Sequence, residues 1–310
     1  MPSSPEPLLP FSLVFHPKFN LELGPHVFPA HKYRLLRERL LESGLARAED
    51  FVEPPPASDE DLLRVHTPEY VRKCESGDFT SDEARLLEVP WSKALVEAFR
   101  WAAGGAIEAG RRALADGCAI LIGGGFHHAF ADHGEGFCLL NDVAIAIRAL
   151  RASRAIERAA VIDLDVHQGN GTAAILGSDA KTFTVSLHHE ANYPGVKPPS
   201  TIDVGLAEDV GDDAYLAALE EPLAAALAFR PDLVLYLAGA DPFEQDLLGG
   251  LKLTFEGLWE RDRRVLAACR KAAIPVALSL AGGYALRPAD TVTIHFNTVV
   301  AAAKVFTDLA

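Results

Sequence analysis

Five short apolar segments constrain the fold of this chain more than any other feature. Each is apolar at consecutive positions and too brief for a helix, which indicates a strand with both faces buried. Strands of this kind are typical of a parallel sheet that helices cover on both sides. The five predicted strands are Ala119–Ile122, Ala159–Asp163, Thr182–Leu187, Leu233–Leu237 and Pro275–Leu280.

Segments with helical periodicity separate most of these strands. The alternation indicates βαβ units and predicts an α/β fold with three layers, in which a parallel sheet lies between two layers of helices. There is no internal repeat, long linker or shift in composition, so residues 1–310 are predicted to form a single domain. The predicted helices are Ala30–Leu45, a short helix that Ser58 caps, Trp91–Ala115, Asp142–Arg154, Ala214–Phe229 and Gly257–Ala273.

Acidic side chains outnumber basic ones by 43 to 29, which gives a formal net charge of −14. Direct binding of nucleic acid needs a basic face and is not expected, whereas a cationic substrate would be attracted. The 4 cysteines form no CxxC pair, and residues 1–15 lack the basic start of a signal peptide. A disulfide framework is therefore not expected, and the cysteines predict a protein of the reducing cytoplasm. No apolar run approaches the roughly 18 residues of a membrane span. The oligomeric state stays open, with a monomer slightly favoured.

The second predicted strand ends in the motif Asp163-x-Asp165-x-His167. Alternate residues of an extended chain share a face, so these side chains can converge. Converging carboxylates repel one another, and a divalent cation relieves that cost. Asp165 and His167, with Asp241 from another strand end, give three protein ligands and an open position, the pattern of a catalytic zinc. The alternative is an N-capping aspartate with a surface histidine, which would suit an isolated DxD motif better.

Glycines and histidines follow the other strands, at the end of the sheet where α/β proteins bind ligands. Gly123–Gly125 precede the adjacent pair His127 and His128, and imidazoles are suited to moving protons near neutral pH. A phosphate-binding loop is disfavoured, because the glycines lack GxGxxG spacing and no Gly-Lys-Ser/Thr follows them. The glycines are expected instead to let the backbone approach a ligand closely.

Taken together, these segments resemble the histone deacetylase family of zinc-dependent amidohydrolases. The resemblance rests on GGGFHHAFADHGEGFCLLNDVAIAI, VIDLDVHQGNGT, SLHHEANYPG, AGADPFEQDLLGGL and LAGGY, in the family's order, with FPAHKYRLL and EDLLRVHTPEYV upstream. The HQGNG and LGGL features are most similar to the class IV, histone deacetylase 11-like branch and its bacterial relatives. The resemblance implies one domain of the arginase/deacetylase type with an eight-stranded parallel sheet.

The resemblance implies a role for each matching residue. Asp165, His167 and Asp241 match zinc ligands. His128 matches the general base that becomes the general acid, and Tyr284 matches the donor to the oxyanion. The remaining implied roles are His127 as a tuner of charge, Asp163 and Asn170 as supports of the two histidines, Gly136 as acceptor of the substrate amide N–H, Phe137 and Tyr193 as aromatic walls, and Asp163, Ser186 and Leu187 as a potassium site.

The implied reaction is hydrolysis of the amide of an N-acyl lysine in a protein or peptide, with acetyl as the default and a longer acyl chain as an alternative. Hydrolysis of acetylpolyamines or other small acyl amides is a second candidate, although no long insertion is present to narrow the entrance. A non-catalytic acyl-lysine-binding scaffold is the candidate of another class. Iron(II) is the alternative to zinc, because aspartate and histidine accept both. Arginase-type dinuclear chemistry is disfavoured, because the residues after Asp241 lack the Asp-x-Asp-x-x-Asp pattern.

Several residues depart from the family pattern or draw attention without a clear role. Asn170 stands where class I relatives have an aspartate, which predicts a lower pKa for His128. The aspartate at the rim of class I sites has no certain match, and Asp78, Asp82 and Glu83 only lie in the same region. A structural role is predicted for His188 and His189, a solvated helix face for Arg261–Arg264, and loop positions for His16 and His26.

Overall fold

Eight parallel strands form one sheet, which confirms the predicted fold class and strand number. The strands are β1 Ser12–Val14, β2 Phe51–Val52, β3 Cys118–Leu121, β4 Ala159–Asp163, β5 Thr182–His189, β6 Ile202–Leu206, β7 Leu233–Leu237 and β8 Val276–Ser279. Their order across the sheet is β2-β1-β3-β8-β7-β4-β5-β6. The structure, a computed structural model, describes residues 7–307 except Glu22, Pro25 and Ala30.

The five strands predicted from apolar runs are the five central strands of the sheet. β3, β8, β7, β4 and β5 are neighbours, and almost every residue in them is buried. The three strands without such a run lie outside this block. β1 and β2 are only 3 and 2 residues long, and β6, at the other edge, alternates between buried or half-buried and exposed positions. Strands of two or three residues are too short to give an apolar run, and a strand with one exposed face carries a weaker apolar signal.

Ten helices connect and cover the strands in the described part of the chain. In one group, α5 packs against α6 and the strands β1, β3 and β8. In the other, α1 packs against α10, α10 against α9, and α9 against α8. The helices are α1 Lys32–Glu42, α2 Asp59–Leu63, α3 Pro68–Ser76, α4 Ser81–Leu87, α5 Lys93–Asp116, α6 Asp142–Ala152, α7 Asn170–Leu176, α8 Asp212–Ala228, α9 Phe255–Lys271 and α10 Pro288–Phe306.

The predicted helices are present, with ends that shift by a few residues. The start predicted at Ala30 lies outside the described residues, as do residues 1–6 of the segment tested for a signal peptide. Buried apolar side chains from Leu9 to Ala302 form one continuous cluster. The single domain over residues 1–310 stays a prediction. Among the described residues, no helix is both long and apolar enough to cross a membrane.

Candidate active site

The parallel sheet brings the ends of its central strands to one edge, and the predicted site residues lie there. His127 and His128 follow β3, Asp165 and His167 follow β4, and Asp241 follows β7. The turn after β8 carries Tyr284. Because all these strands point the same way, residues that are far apart in sequence meet without any long loop.

Asp165, His167 and Asp241 form one buried cluster of potential metal ligands. One donor atom from each residue lies within 4.8 Å of the others, and the three are the single such group found in the described part of the chain. His167 Nδ1 lies 3.1 Å from Asp165 Oδ1 and 3.5 Å from Asp241 Oδ2. The structure thus brings together the three residues that the sequence predicted as ligands.

The surroundings of this cluster fit a divalent cation. Asp241 Oδ2 is buried and has no hydrogen-bond partner, which is costly for a carboxylate oxygen unless a cation occupies the space beside it. Asp241 Oδ1 accepts from the backbone N–H of Val166 at 2.9 Å, so only Oδ2 is free. A Cβ atom on Gly282 would lie 1.9 Å from Asp241 Oδ2, so a larger residue at position 282 would fill this space.

The two histidines after β3 lie beside the cluster, each supported from behind. His127 Nδ1 lies 2.7 Å from Asp163 Oδ2, and His128 Nδ1 lies 2.7 Å from Asn170 Oδ1. The two Nε2 atoms are 3.1 Å apart and face each other. The pairings match those expected from the family resemblance, while the catalytic roles of these residues stay predictions.

The environment separates the pKa values of the two histidines. Burial lowers the pKa of His127, but the charges of Asp163 and Asp165 outweigh burial and raise it to about 9. Burial and the neighbouring positive charges of His127 and His167 lower the pKa of His128 well below its usual value. The environment therefore leaves His128 neutral near neutral pH and able to accept a proton.

Tyr284 is buried against the same site as a protonated phenol. Burial raises its pKa well above the usual value, and the charges of Asp165 and Asp241 add to that rise. Its ring lies 6.0 Å from the ring of Phe137, so the tyrosine belongs to both the cluster and the wall of the adjoining cavity.

A cavity of about 180 Å³ leads from the surface to this cluster. Phe137 and Tyr193 are among its walls, and His128, His167 and Tyr284 line it as well. The backbone N–H groups of Gly136 and Phe137 donate to Leu86 and Leu87 at the end of α4, which holds this wall in place. Asn192 and Leu248 also line the cavity, although no sequence pattern marked them.

The acidic residue at the cavity mouth is Glu88, which the sequence analysis missed. Asp82 pairs with Arg85 and Glu83 with Lys73, and none of Asp78, Asp82 and Glu83 lines the cavity. Glu88 lines the cavity and directly follows the last residue of α4, where its backbone is left-handed with a φ of 59°. No motif or spacing in the sequence marks this position.

One of the two loop histidines lies at this mouth and the other does not. His26 Nε2 lies 3.1 Å from the backbone oxygen of Glu88, and its ring packs edge-on against Phe137 at 5.0 Å. His16 instead stacks on Trp101, with the ring centres 3.6 Å apart.

The prediction of a solvated face for Arg261–Arg264 is wrong for its first two residues. Arg261 and Asp262 are fully buried, and their side chains form an ion pair at 2.9 Å. Arg261 Nη1 donates to the backbone oxygens of Leu164 and Gly239, at 3.2 and 2.7 Å. These carbonyls lie beside the ligand-bearing turns after β4 and β7. This charged segment thus contains a buried ion pair that holds the backbone of the ligand-bearing turns in place. The pattern of charges in the sequence does not reveal it.

Asp142, at the start of α6, holds the loop that carries the histidines. Its carboxylate accepts from the backbone N–H groups of Gly125 and Phe126 at 2.9 and 2.8 Å. The preceding Asn141 donates to the backbone oxygen of Ala129 at 3.0 Å. The Asn-Asp pair was part of the quoted motif, but nothing in its spacing indicated this role.

His188 and His189 are buried outside the ligand cluster. Ser186 Oγ lies 3.0 Å from His188 Nδ1, and His189 Nδ1 faces the backbone oxygen of Gly249 at 3.3 Å. Asp163 and Ser186 are register partners on β4 and β5, so the residues implied as potassium ligands are neighbours. Potassium binding itself stays a prediction.

Comparison with known proteins agrees with this site. A model of the histone deacetylase domain matches residues 26–300. The chain belongs to the histone deacetylase family. Since histone deacetylases are hydrolases of amide bonds, the family makes this protein a deacetylase or related amidohydrolase, and it gives the Asp-His-Asp cluster its context as a metal site.

Individual family members resemble the chain over most of its length. Histone deacetylase 2 of Arabidopsis thaliana is 34% identical over 295 residues, covering 90% of this chain and 76% of the plant protein. An uncharacterized protein of Picosynechococcus is 42% identical, covering 92% and 96%. The crystal structure of the HDA15 HD domain superposes with a TM-score of 0.77 at 25% identity, covering 95% of this chain and 88% of that one. The predicted class IV branch is not distinguished by these relatives.

Proposed function

We propose that this histone deacetylase family member hydrolyses the acyl amide of N-acyl lysine with a divalent metal, zinc by preference, held by Asp165, His167 and Asp241. One observation carries the proposal: the buried cluster, with an unpartnered Asp241 oxygen, lies at the inner end of an aromatic-walled cavity. A structural metal site would have all its ligands from protein and no open approach.

A bound divalent ion supplies Lewis acidity toward the amide carbonyl and lowers the pKa of water toward about 7. His128 is the group that accepts a proton from the attacking water, because its Nε2 faces the site and its lowered pKa leaves the imidazole neutral near pH 7. His127, held by Asp163, lies beside it and tunes the charge around the reacting groups. After attack, the proton on His128 passes to the leaving lysine amine.

Tyr284 is the second group that stabilises the oxyanion. Its phenol keeps its proton at all moderate pH values, so it can donate a hydrogen bond to the oxygen on which negative charge develops. The Gly136 backbone carbonyl is the expected acceptor for the substrate amide N–H, since Gly136 lines the cavity beside His128.

The cavity walls suit the side chain of lysine. Phe137 and Tyr193 provide apolar ring surface on the way to the cluster, and each buried methylene of the lysine stem contributes about 0.8 kcal/mol. The charged amine of the product would pay a desolvation cost in this cavity, so the neutral acyl-lysine is expected to bind in preference to the lysine product.

The deeper cavity favours a short acyl group. Beyond the cluster, Tyr33, Phe126 and Cys138 enclose a space of about 20 Å³. That is room for about one water molecule, or for the methyl of an acetyl group. We therefore favour deacetylation over removal of a long acyl chain, the alternative suggested by class IV likeness.

Acetylpolyamines are the second candidate substrates, on the strength of Glu88. Its carboxylate at the cavity mouth would attract the protonated nitrogens of such a substrate, as would the net charge of −14. A peptide substrate would use the same carboxylate to accept hydrogen bonds from its backbone.

A substrate panel tests the proposed function. The zinc-loaded protein is assayed on lysine peptides carrying acyl groups of two to fourteen carbons and on acetylpolyamines, with bound metal measured on the same samples. We expect about one metal per chain and fastest release of acetyl, with both lost in Asp241→Ala. Bound metal without hydrolysis of any substrate would instead favour an acyl-lysine-binding scaffold.

A further inference from the structure

Glu135 lies directly behind the residue that supports His128. Its Oε1 accepts from Asn170 Nδ2 at 2.8 Å and from the Tyr193 hydroxyl at 2.5 Å, while its Oε2 lies 3.6 Å from His133 Nε2. The side chain is 15% exposed, so these contacts are only partly shared with water. No role for Glu135 follows from the predicted ligands, the histidine pair or the oxyanion donor.

The contact with Glu135 fixes which end of the Asn170 side chain faces His128. A carboxylate is an acceptor only, so the amide must turn its NH₂ toward Glu135. Asn170 Oδ1 then faces His128 Nδ1, at the observed 2.7 Å. Burial alone would raise the pKa of Glu135, but the nearby imidazole of His133 and the hydrogen bonds from Tyr193 and Asn170 hold it below the usual value, so the carboxylate is ionised.

The orientation of the amide in turn fixes the tautomer of His128. An oxygen at Nδ1 requires that Nδ1 carry the proton, which leaves the lone pair on Nε2. Nε2 is the nitrogen that faces the site and His127. With the amide reversed, its NH₂ would face Nδ1, the proton would move to Nε2, and His128 could no longer accept a proton there.

We propose that Glu135 is a positioning residue that sets the tautomer of His128 through Asn170 and holds the cavity wall in place through Tyr193. The inference rests on the proposed function, because it concerns the base of that reaction. A carboxylate in place of Asn170 would put a negative charge directly beside the His128 imidazole. In this protein Glu135 supplies that charge one hydrogen bond farther away, behind Asn170.

The tautomer itself is the first test, and it needs no activity. Zinc-loaded protein with ¹⁵N-labelled histidine is examined by long-range ¹H–¹⁵N correlation, and the signals of His128 are identified as those lost in His128→Gln. We expect the Nδ1–H form in the wild type, and a large share of Nε2–H in E135A. Glu157 is 72% exposed and precedes β4 at the opposite end of the sheet, so E157Q is the matched control and should leave the spectrum unchanged.

A pure Nδ1–H form in folded E135A would overturn the inference. If E135A does not fold, E135M replaces it, since methionine has a similar length and cannot accept these hydrogen bonds. E135Q is expected to have a smaller effect, because its amide oxygen can still accept from Asn170.

Kinetics separate a positioning role from a merely structural one. We expect E135A to lower kcat about 10- to 100-fold, as removal of a supporting partner typically does, and to raise KM through the loosened Tyr193. Adding N170D to E135A should restore kcat at least about tenfold, because a carboxylate presents only acceptors to His128 whichever way it turns. A double variant no faster than E135A would contradict the inference. If even the wild type hydrolyses nothing, the proposed function fails and the tautomer measurement still decides the role of Glu135.

Discussion

The backbone N–H of Tyr284 donates a hydrogen bond to Asp246 Oδ2 at 2.6 Å. The other oxygen of Asp246 accepts from the backbone N–H of Leu248 at 2.9 Å. One carboxylate therefore joins the turn after β8, which carries the tyrosine, to the loop that follows the ligand Asp241. Leu248 itself lines the cavity, so the same contact shapes the path of the substrate.

Replacing Asp246 by alanine should weaken catalysis while the protein stays folded. Without the carboxylate, the turn with Tyr284 is free to move, and we expect kcat to fall about 10- to 100-fold, in the range typical of residues that support a functional group. Steady-state kinetics with a thermal melt measure the effect. The exposed Glu244 in the same loop provides the control Glu244→Gln, and equal activity of the two variants would contradict the role given to Asp246.

Tyr284→Phe removes one hydroxyl and leaves the ring in the wall. Loss of a single oxyanion donor typically costs about 3 kcal/mol, so we expect kcat to fall roughly 100- to 1,000-fold. KM should change little, because the donor acts on charge that develops after substrate has bound. A variant that retains nearly all of the wild-type kcat on an acetyl-lysine peptide would remove Tyr284 from the reaction.

The pH dependence of kcat/KM follows from the lowered pKa of His128. The neutral imidazole is the active form, so activity is lost as the pH falls through this pKa, which burial above all holds well below 6.5. We expect a flat rate from about pH 6.5 to 8 and a decline at more acidic pH, with unfolding monitored at each pH. A half-maximal rate near pH 7 on the acid side would show that His128 is not the base.

Arg261→Met should destabilise the whole fold. It leaves Asp262 buried without its ion-pair partner and frees the carbonyls of Leu164 and Gly239, so we expect the free energy of unfolding to fall by about 3–5 kcal/mol. Denaturation by urea measures the change. Arg264, whose ion pairs are partly exposed, offers the control Arg264→Gln with an expected change of about 0–1 kcal/mol, and similar values for the two variants would contradict this account.

The sequence predicted the residues whose positions depend on strand ends, and it missed those that act through the folded backbone. Asp163, Asp165 and His167 were found because a strand end places alternate residues on one face. Glu88 and Asp246 carry no such signal. Their roles depend on how the loops after α4 and β7 fold back over the sheet.

The edges of the sheet and the buried charges were beyond sequence reasoning for related reasons. β6, at the edge of the sheet, alternates in burial because one of its faces is exposed, so it lacks the apolar run that marked β4 or β7. Arg261 looks like its solvated neighbour Arg264. The burial of Arg261 becomes favourable only in the folded protein, where α9 places the side chain beside Asp262 and the backbone carbonyls of Leu164 and Gly239.

Hydrolysis in water enriched in ¹⁸O tests the central claim most directly. The zinc-loaded protein is incubated with an acetyl-lysine peptide, and the acetate and peptide products are analysed by mass spectrometry. Direct attack of water on the amide predicts one ¹⁸O atom in each acetate released and none in the lysine product, at rates that Asp241→Ala abolishes. Intact acetyl-lysine after many hours with metal-loaded protein, or acetate that carries no label, would contradict the account.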